Sequence, residues 1–291
     1  MNKLALGTAQ FGLSYGIANQ FGQINFLDAT DILRLAKKAN IDLIDTAITY
    51  GDSEKVIGKT GILNFNFVSK LPAVPENCED IDCWVEDMVQ NSLKRLGIKS
   101  LYGLLIHRSE NLLGDLGKKL IDALYRIKSK GLAKKIGISI YDPSEIDQVI
   151  NSVKIDIVQA PLNVIDRRLE TSGWLSKLHQ ANVEIHTRST FLQGLLLMPR
   201  CKIPLKFNRW KNIWDQWYLG LEKNNLSAVQ ACLSYPLSLP EIDRIVVGVD
   251  SMDQFKDLIT ISQSKQLKQE WSFMISNDKT LKFFVAKCNF C

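Results

Sequence analysis

The chain has 291 residues, 46% of them hydrophobic and 23% charged, a composition that supports a large buried core. Its 36 basic and 31 acidic residues give a formal net charge of +5 without any dense Lys/Arg block, so nothing points to a nucleic-acid partner. No run of about 18 apolar residues occurs, and the opening MNKLALGTAQFG lacks the long apolar stretch of a secretory leader, so a cytoplasmic protein with no membrane partner is expected.

In chain order, a strand is predicted over Lys3–Leu6, followed by an irregular connection at about 11–32. A helix over Asp28–Ala39 places Ile32, Leu33, Leu35 and Ala36 on one side. Strands follow at Leu43–Asp45 and Phe65–Lys70, then a helix over Asp80–Leu96 and a strand over Leu101–Ile106. The next helix, Leu112–Lys130, ends at Gly131 as a C-terminal cap. After a strand at Lys135–Ser139, Asp142-Pro143 starts a helix over Pro143–Ser152. Then come a strand at Ile157–Ala160, a helix over Leu169–Ala181 and a strand at Glu184–Arg188. A second irregular connection at about 189–226 carries Phe207, Trp210, Trp214, Trp217 and Leu221 at three- and four-residue steps. That apolar helical stripe suits core packing or burial against a partner, or else the wall of a substrate site. The last strand is Arg244–Val247 and the last helix Ser251–Ser262.

Eight strands alternating with helices, several apolar on consecutive residues, predict a parallel sheet closed into a (β/α)8 TIM barrel of the α/β class. A doubly wound sheet would show GxGxxG after its first strand; here GTAQFGLSYG stands instead. The barrel is expected over 1–270, with 271–291 as a C-terminal extension packed on or near it. Cys78, Cys83, Cys201, Cys232, Cys288 and Cys291 are scattered, as reduced thiols are. The Cys288/Cys291 pair has no further ligands nearby in sequence, and His179 and His186 lack metal-type spacing, so no metal site is expected.

In such a barrel the ends of the strands face the reaction mouth. Strand two ends at Asp45, and its loop supplies Tyr50. Strand three ends at Lys70, strand four at His107 and strand five at Ser139. Strand six carries Gln159, and strand seven ends at Arg188-Ser189. A phenol beside an ammonium, with a carboxylate behind the ammonium, suits protonation of a carbonyl oxygen, and the nearby positive charge is expected to lower the phenol's pKa. Arg108, next to His107, is either salt-bridged or a contact for a substrate anion.

The segment DTAITYGDSEKVIGK, from Asp45 to Lys59, resembles the signature of the aldo-keto reductase family. VSK ending at Lys70, LLIH ending at His107, IGIS ending at Ser139, IDIVQAPLN from Ile155, RSTFLQGLL from Arg188 and VVGVDSMDQF from Val246 are similar to its later segments, so the likeness runs from about Leu4 to Leu258. The resemblance implies an NAD(P)H-dependent oxidoreductase that reduces an aldehyde, ketone or keto-sugar. Tyr50 would be the general acid, Lys70 and Asp45 its support, and His107 the group that orients the carbonyl. The cofactor would meet Gly7, Thr8, Ser139, Gln159, Arg188, Ser189, Leu192, Gly194, Gly248, Asp250, Ser251 and Gln254.

Three positions depart from the family's pattern. Ile140 stands where many members have Asn, and Arg188 where many have an aromatic ring stacked on the nicotinamide. Asp250 stands where members that prefer NADP carry Arg or Lys, which tilts the expectation toward NADH. The opening GTAQFGLSYGI resembles a bacterial branch associated with surface-polysaccharide sugars, which brings a sugar substrate within the expected class. An NAD(H)-binding regulatory protein on the same fold, with little turnover, is the alternative. A monomer or homodimer is expected.

Overall fold

The structure is a computed structural model and describes residues 2–264. The eight predicted strands are all present: β1 (Leu4–Gly7), β2 (Leu43–Asp45), β3 (Asn66–Leu71), β4 (Leu101–Ile106), β5 (Ala133–Ser139), β6 (Ile157–Pro161), β7 (Glu184–Arg188) and β8 (Arg244–Val247). Each pairs in parallel with the next, and β8 closes on β1 through Ala5 and Val246, giving the (β/α)8 TIM barrel. Closure explains the apolar runs in the sequence, because every strand is covered on both sides. Inward residues Ala5, Leu43, Val68, Leu105, Ile157 and Val246 fill the barrel. The outward residues join the helices in the larger core, where Leu6, Ile44, Leu104, Val158 and Ile185 meet Ile32, Leu93, Leu124 and Leu175.

At the amino-terminal end of the barrel the interior turns polar. The Glu184 carboxylate accepts from Tyr102 Oη (2.7 Å) and from the Lys135 ammonium, and its other oxygen pairs with His186 Nε2 at 2.8 Å. Arg244 pairs with Asp42 at 2.7 Å nearby in the strand order.

Helices over Phe26–Lys38, Ile81–Leu96, Gly114–Ser129, Ser144–Val149 and Met252–Gln263 lie where amphipathic periodicity places them. Gly131 adopts a positive φ of 71° just past the third of these, as a C-terminal cap requires. Asp142 holds the start of the Ser144–Val149 helix by accepting from the Ser144 N–H (3.0 Å).

Two expectations change. The helix predicted over Leu169–Ala181 is two pieces, Arg168–Thr171 and Trp174–Gln180, parted by Gly173 with φ 79°. The connection 189–226 is not wholly irregular, since it contains a helix over Lys211–Lys223. Its aromatic stripe is core: Phe207, Trp210, Trp214 and Trp217 are all buried. Trp217 Nε1 donates to the Leu196 carbonyl (3.1 Å), and Tyr218 Oη donates to that of Met198 (2.8 Å), tying this helix to the loop after β7. The expected extension over 271–291, with Cys288 and Cys291, lies outside the described residues. No helix of the described residues is long and apolar enough to cross a membrane.

Candidate active site

The carboxyl ends of the strands surround a cavity of about 340 Å³. At its floor lies a buried ion pair. Lys70 Nζ donates to Asp45 Oδ1 at 2.6 Å and to the Thr46 carbonyl at 2.9 Å. The second Asp45 oxygen accepts from Gln159 Nε2 at 2.7 Å, and Ser139 Oγ reaches Gln159 Oε1 at 3.5 Å. These contacts join β2, β3, β5 and β6, strands whose register brings Asp45 opposite Val68 and Ser139 opposite Gln159.

Tyr50 is carried by a turn built for close approach. Gly12 has no side chain because the Tyr50 carbonyl would lie 1.8 Å from its Cβ, and Gly51 takes a positive φ of 52° to reverse the chain. The helix that follows, Ser53–Thr60, is anchored from inside. The buried Glu54 accepts from Ser69 Oγ (2.7 Å), Ser92 Oγ (2.6 Å) and Arg95 Nε (2.8 Å). Ser69 adjoins Lys70 in β3, so one carboxylate ties the Tyr50 turn to the strand that bears the ammonium. Lys70 Nζ stands 5.2 Å from the centroid of the Tyr50 ring, and the Tyr50 and His107 rings meet edge to face at 6.2 Å. Among the described residues the Tyr50 hydroxyl has no hydrogen-bond partner, and Tyr50 lines the cavity.

The electrostatics correct one expectation. Tyr50 is held well above the ordinary phenol pKa, first by burial and next by the Asp45 charge, so the ion pair beneath it does not lower its pKa. Burial accounts for the larger part of the rise, and Asp45, held against Lys70 at 2.6 Å, offsets the ammonium. Lys70 itself is pushed below the ordinary lysine value by burial, against the pull of Asp45. His107 is lowered to about 3, mainly by burial and then by Lys70, Arg188 and Arg108, so its imidazole is neutral across the physiological range. Arg108 does not line the cavity; it is exposed and lies 3.8 Å from Glu110.

Arg188 leaves the end of β7 and reaches across to β5. Its guanidinium donates to the Ile140 carbonyl (2.9 Å) and to Ser189 Oγ (3.2 Å), and lies 4.5 Å from the centroid of the Tyr141 ring. Ile140 turns its side chain into the core, so at this departure from the family's pattern only its backbone faces Arg188. Beyond, the loop after β7 curls through positive φ at Ser189, Leu192, Gln193 and Gly194. The Gln193 carbonyl accepts from Ile17 N (3.0 Å) and Ala18 N (3.3 Å), joining this loop to the one after β1. At the far side, Asp250 is raised in pKa by burial despite hydrogen bonds from Gln10 and Gln254. Its Oδ1 is buried without a hydrogen-bond partner.

Of the residues singled out in the sequence, Asp45, Tyr50, Lys70, His107, Gly7, Thr8, Ser139, Gln159, Arg188, Ser189, Gly194, Gly248, Asp250 and Gln254 line this one cavity. Leu192 and Ser251 do not. Leu192 is buried in the core, and Ser251 Oγ caps the Met252–Gln263 helix by accepting from Gln254 N (3.3 Å). Gln10, Tyr15, Tyr141, Gln193 and Lys202 also line the cavity and were not anticipated. Tyr15, Tyr141 and Gln193 stand in loops, and Gln10 and Lys202 in single helical turns, where no periodicity marks them.

The comparisons with known proteins agree with this geometry. The model of the Aldo/keto reductase family matches residues 3–275. An uncharacterized oxidoreductase of Bacillus subtilis (strain 168), YqkF, is 23% identical over 292 residues, covering 93% of this chain and 94% of its own. Among solved structures, the holo form of the aldo-keto reductase AKR11C1 from Bacillus halodurans superposes with a TM-score of 0.72 at 18% identity, over 97% of this chain and 91% of that one. The glycerol dehydrogenase AKR11B4 from Gluconobacter oxydans superposes with a TM-score of 0.71 at 20% identity, over 98% and 91% of the two chains. A family-wide sequence match, a closed barrel and a Tyr/Lys/Asp/His group at its mouth converge: the chain belongs to the aldo/keto reductase family, whose enzymes are NAD(P)H-dependent oxidoreductases.

Proposed function

We propose that the protein reduces the carbonyl of an aldehyde, ketone or keto-sugar to an alcohol, with Tyr50 as the general acid. The observation that carries this reading is the Tyr50 hydroxyl opening on the cavity, between the Lys70–Asp45 pair and the neutral His107.

The polar groups around the cavity suit a dinucleotide. Ser139 and Gln159 offer donors and acceptors at its floor, and the orphaned Asp250 oxygen at its far side wants a hydroxyl donor. Ser139 and Gln159 would hold the carboxamide, the loop at Ser189–Gly194 the phosphates, and Gln10, Gly248, Asp250 and Gln254 the adenosine end. The open face of Arg188, opposite Tyr141, would cover the nicotinamide. Bound there, the reduced nicotinamide supplies the hydride. His107, uncharged, donates a hydrogen bond that sets the carbonyl in place without competing as an acid. Tyr50 keeps its proton at neutral pH and releases it to the carbonyl oxygen as negative charge develops there. Arg188 is the cation that favours the phenolate that remains, and the Lys70 ammonium, oriented by Asp45, stands over the Tyr50 ring and holds it in place. The Asp250 carboxylate would accept from a ribose hydroxyl and repel a 2′-phosphate, which favours NADH.

Tyr50→Phe keeps the ring and removes the acidic proton. Single-turnover reduction should slow by about 10²–10⁴-fold, with cofactor affinity little changed. Lys70→Met should also slow it, and the double variant should lose far less than the two losses combined, because one unit is dismantled. Wild-type rates in Tyr50→Phe would remove Tyr50 from the reaction and favour a cofactor-binding regulatory role.

A further inference from the structure

The charges around the reaction centre do not balance. Asp45 is fully engaged by Lys70 at 2.6 Å and Gln159 at 2.7 Å. Arg188 has no carboxylate among the described residues; its hydrogen bonds go to a carbonyl and a hydroxyl. The other carboxylate on the cavity wall, Asp250, belongs to the Gln10/Gln254 group and leaves Arg188 unpaired. A guanidinium carries five N–H donors, and the Ile140 and Ser189 contacts use two of them. One face of it rests on Tyr141. Tyr15 shares this part of the cavity with Tyr50, Tyr141 and Arg188 and keeps its proton, its pKa raised to about 12 by burial, so it too can donate. A half-buried cation left without a counter-ion in a walled cavity is costly unless a ligand brings the charge.

We propose that the carbonyl substrate carries an anionic group, a carboxylate or a phosphate, and that Arg188, flanked by Tyr15 and Tyr141, holds it. Arg188 is then a specificity residue of the reaction, and it replaces the uncharged ring that many members of the family place there. The low pKa of His107 agrees, since Arg188 is among the charges that disfavour a second cation in the site. The inference rests on the reductase reading only for the carbonyl; the anion site stands on its own geometry. A guanidinium also binds carboxylate and phosphate in two-point fashion, which fixes the substrate's orientation as well as its charge.

The test compares matched substrates at saturating cofactor. 4-Formylbenzoate is set against its methyl ester, and glyceraldehyde 3-phosphate against glyceraldehyde. The wild type should prefer the charged member of at least one pair by tenfold or more in kcat/KM, and the pair that shows it names the anion. Arg188→Gln should bring that ratio close to one, and Arg188→Lys should keep part of it. Using the ratio cancels any loss that Arg188→Gln causes through the cofactor. A preference for the neutral member of both pairs, or an unchanged ratio in Arg188→Gln, would overturn the proposal. Calorimetric titration of malonate and inorganic phosphate into the protein with NADH gives a second readout. Saturable binding that disappears in Arg188→Gln, at an NADH concentration raised until fluorescence quenching shows the variant saturated, supports the site. If every carbonyl is inert yet this binding persists, the reductase reading falls and the anion site remains. If neither anion binds and the charged substrates show no advantage, the anion site falls alone.

Discussion

The proposed preference for NADH turns on one atom of Asp250. Its Oδ1 is buried without a partner, while Gln10 and Gln254 hold the rest of the carboxylate in place. Removing that charge should cost NADH a hydrogen bond and spare NADPH a repulsion. Titration of the wild type should therefore find NADH the tighter ligand, and Asp250→Arg should narrow or reverse the gap. A wild-type preference for NADPH of tenfold, about 1.4 kcal/mol, would refute this. His107 supports a second prediction at the same scale. Because burial and three neighbouring cations hold it near pKa 3, it does not change charge between about pH 5 and 9. Tyr50, raised above the ordinary phenol value, keeps its proton over the same interval. A general acid loses activity as the pH rises through its pKa, so kcat/KM for reduction should be flat across this window and fall only above it. A limb with a midpoint near 6.5 would assign a titrating imidazole to the reaction.

Residues at strand ends were legible before the fold was known, because a barrel aims every strand's carboxyl end at one mouth. That is why Asp45, Lys70, His107, Ser139 and Gln159 could be gathered from separate parts of the chain. Tyr15 and Tyr141 were not legible: each stands in a loop, and only the closed barrel brings them to Arg188. The pKa of Tyr50 was misjudged for a related reason. The Tyr–Lys pairing can be read from sequence, but the desolvation that outweighs it comes from walls far away in the chain.

At the scale of the element, β2, β4 and β8 have the boundaries that their apolar runs suggest, since a buried strand ends where the polar mouth begins. The helix over Ala228–Ser238 escaped notice because it is apolar almost all round and contains Pro236; its signal was the capping box of Ser227 and Gln230. The Lys211–Lys223 helix was marked in the sequence by the three- and four-residue steps of its tryptophans, inside a connection otherwise read as irregular. Their burial against the loop after β7 makes them a support for the cavity wall, with Trp217 only 1% exposed and hydrogen-bonded to Leu196. Trp217→Ala should cost about 3–5 kcal/mol, read by urea denaturation. It should also weaken cofactor binding, because the loop that it props lines the site. A loss under about 1 kcal/mol would show that the loop holds itself.

Across the whole molecule, the two ends of the barrel divide the work. The mouth carries the proposed reaction groups, and the opposite end carries the Glu184, Tyr102 and Lys135 network with His186. Burial alone would raise the Glu184 pKa, but hydrogen bonds from His186, Lys135 and Tyr102 outweigh it and bring it to about 2. A carboxylate depressed in the folded state stabilises the fold above its unfolded pKa, and that stabilisation is lost as pH falls through the folded value. Glu184→Gln should therefore lower the melting temperature at pH 7, with the gap to wild type closing as pH drops from about 4.5 toward 2. A gap independent of pH would mean that the network acts through packing alone.

The bond between the loops after β1 and β7 has a consequence for the order of events. The Gln193 carbonyl takes the N–H groups of Ile17 and Ala18, so the two loops form a bridge beside the cavity that both of them line. A long molecule lying beneath such a bridge cannot slip out sideways while both bonds are made. A small carbonyl compound entering at Tyr50 passes no such barrier. The two partners of the proposed reaction should then exchange at different rates, the long one slowly and the small one freely. A dinucleotide bound there should leave only when the bridge parts, so a pre-steady-state burst of product should precede the slower steady rate.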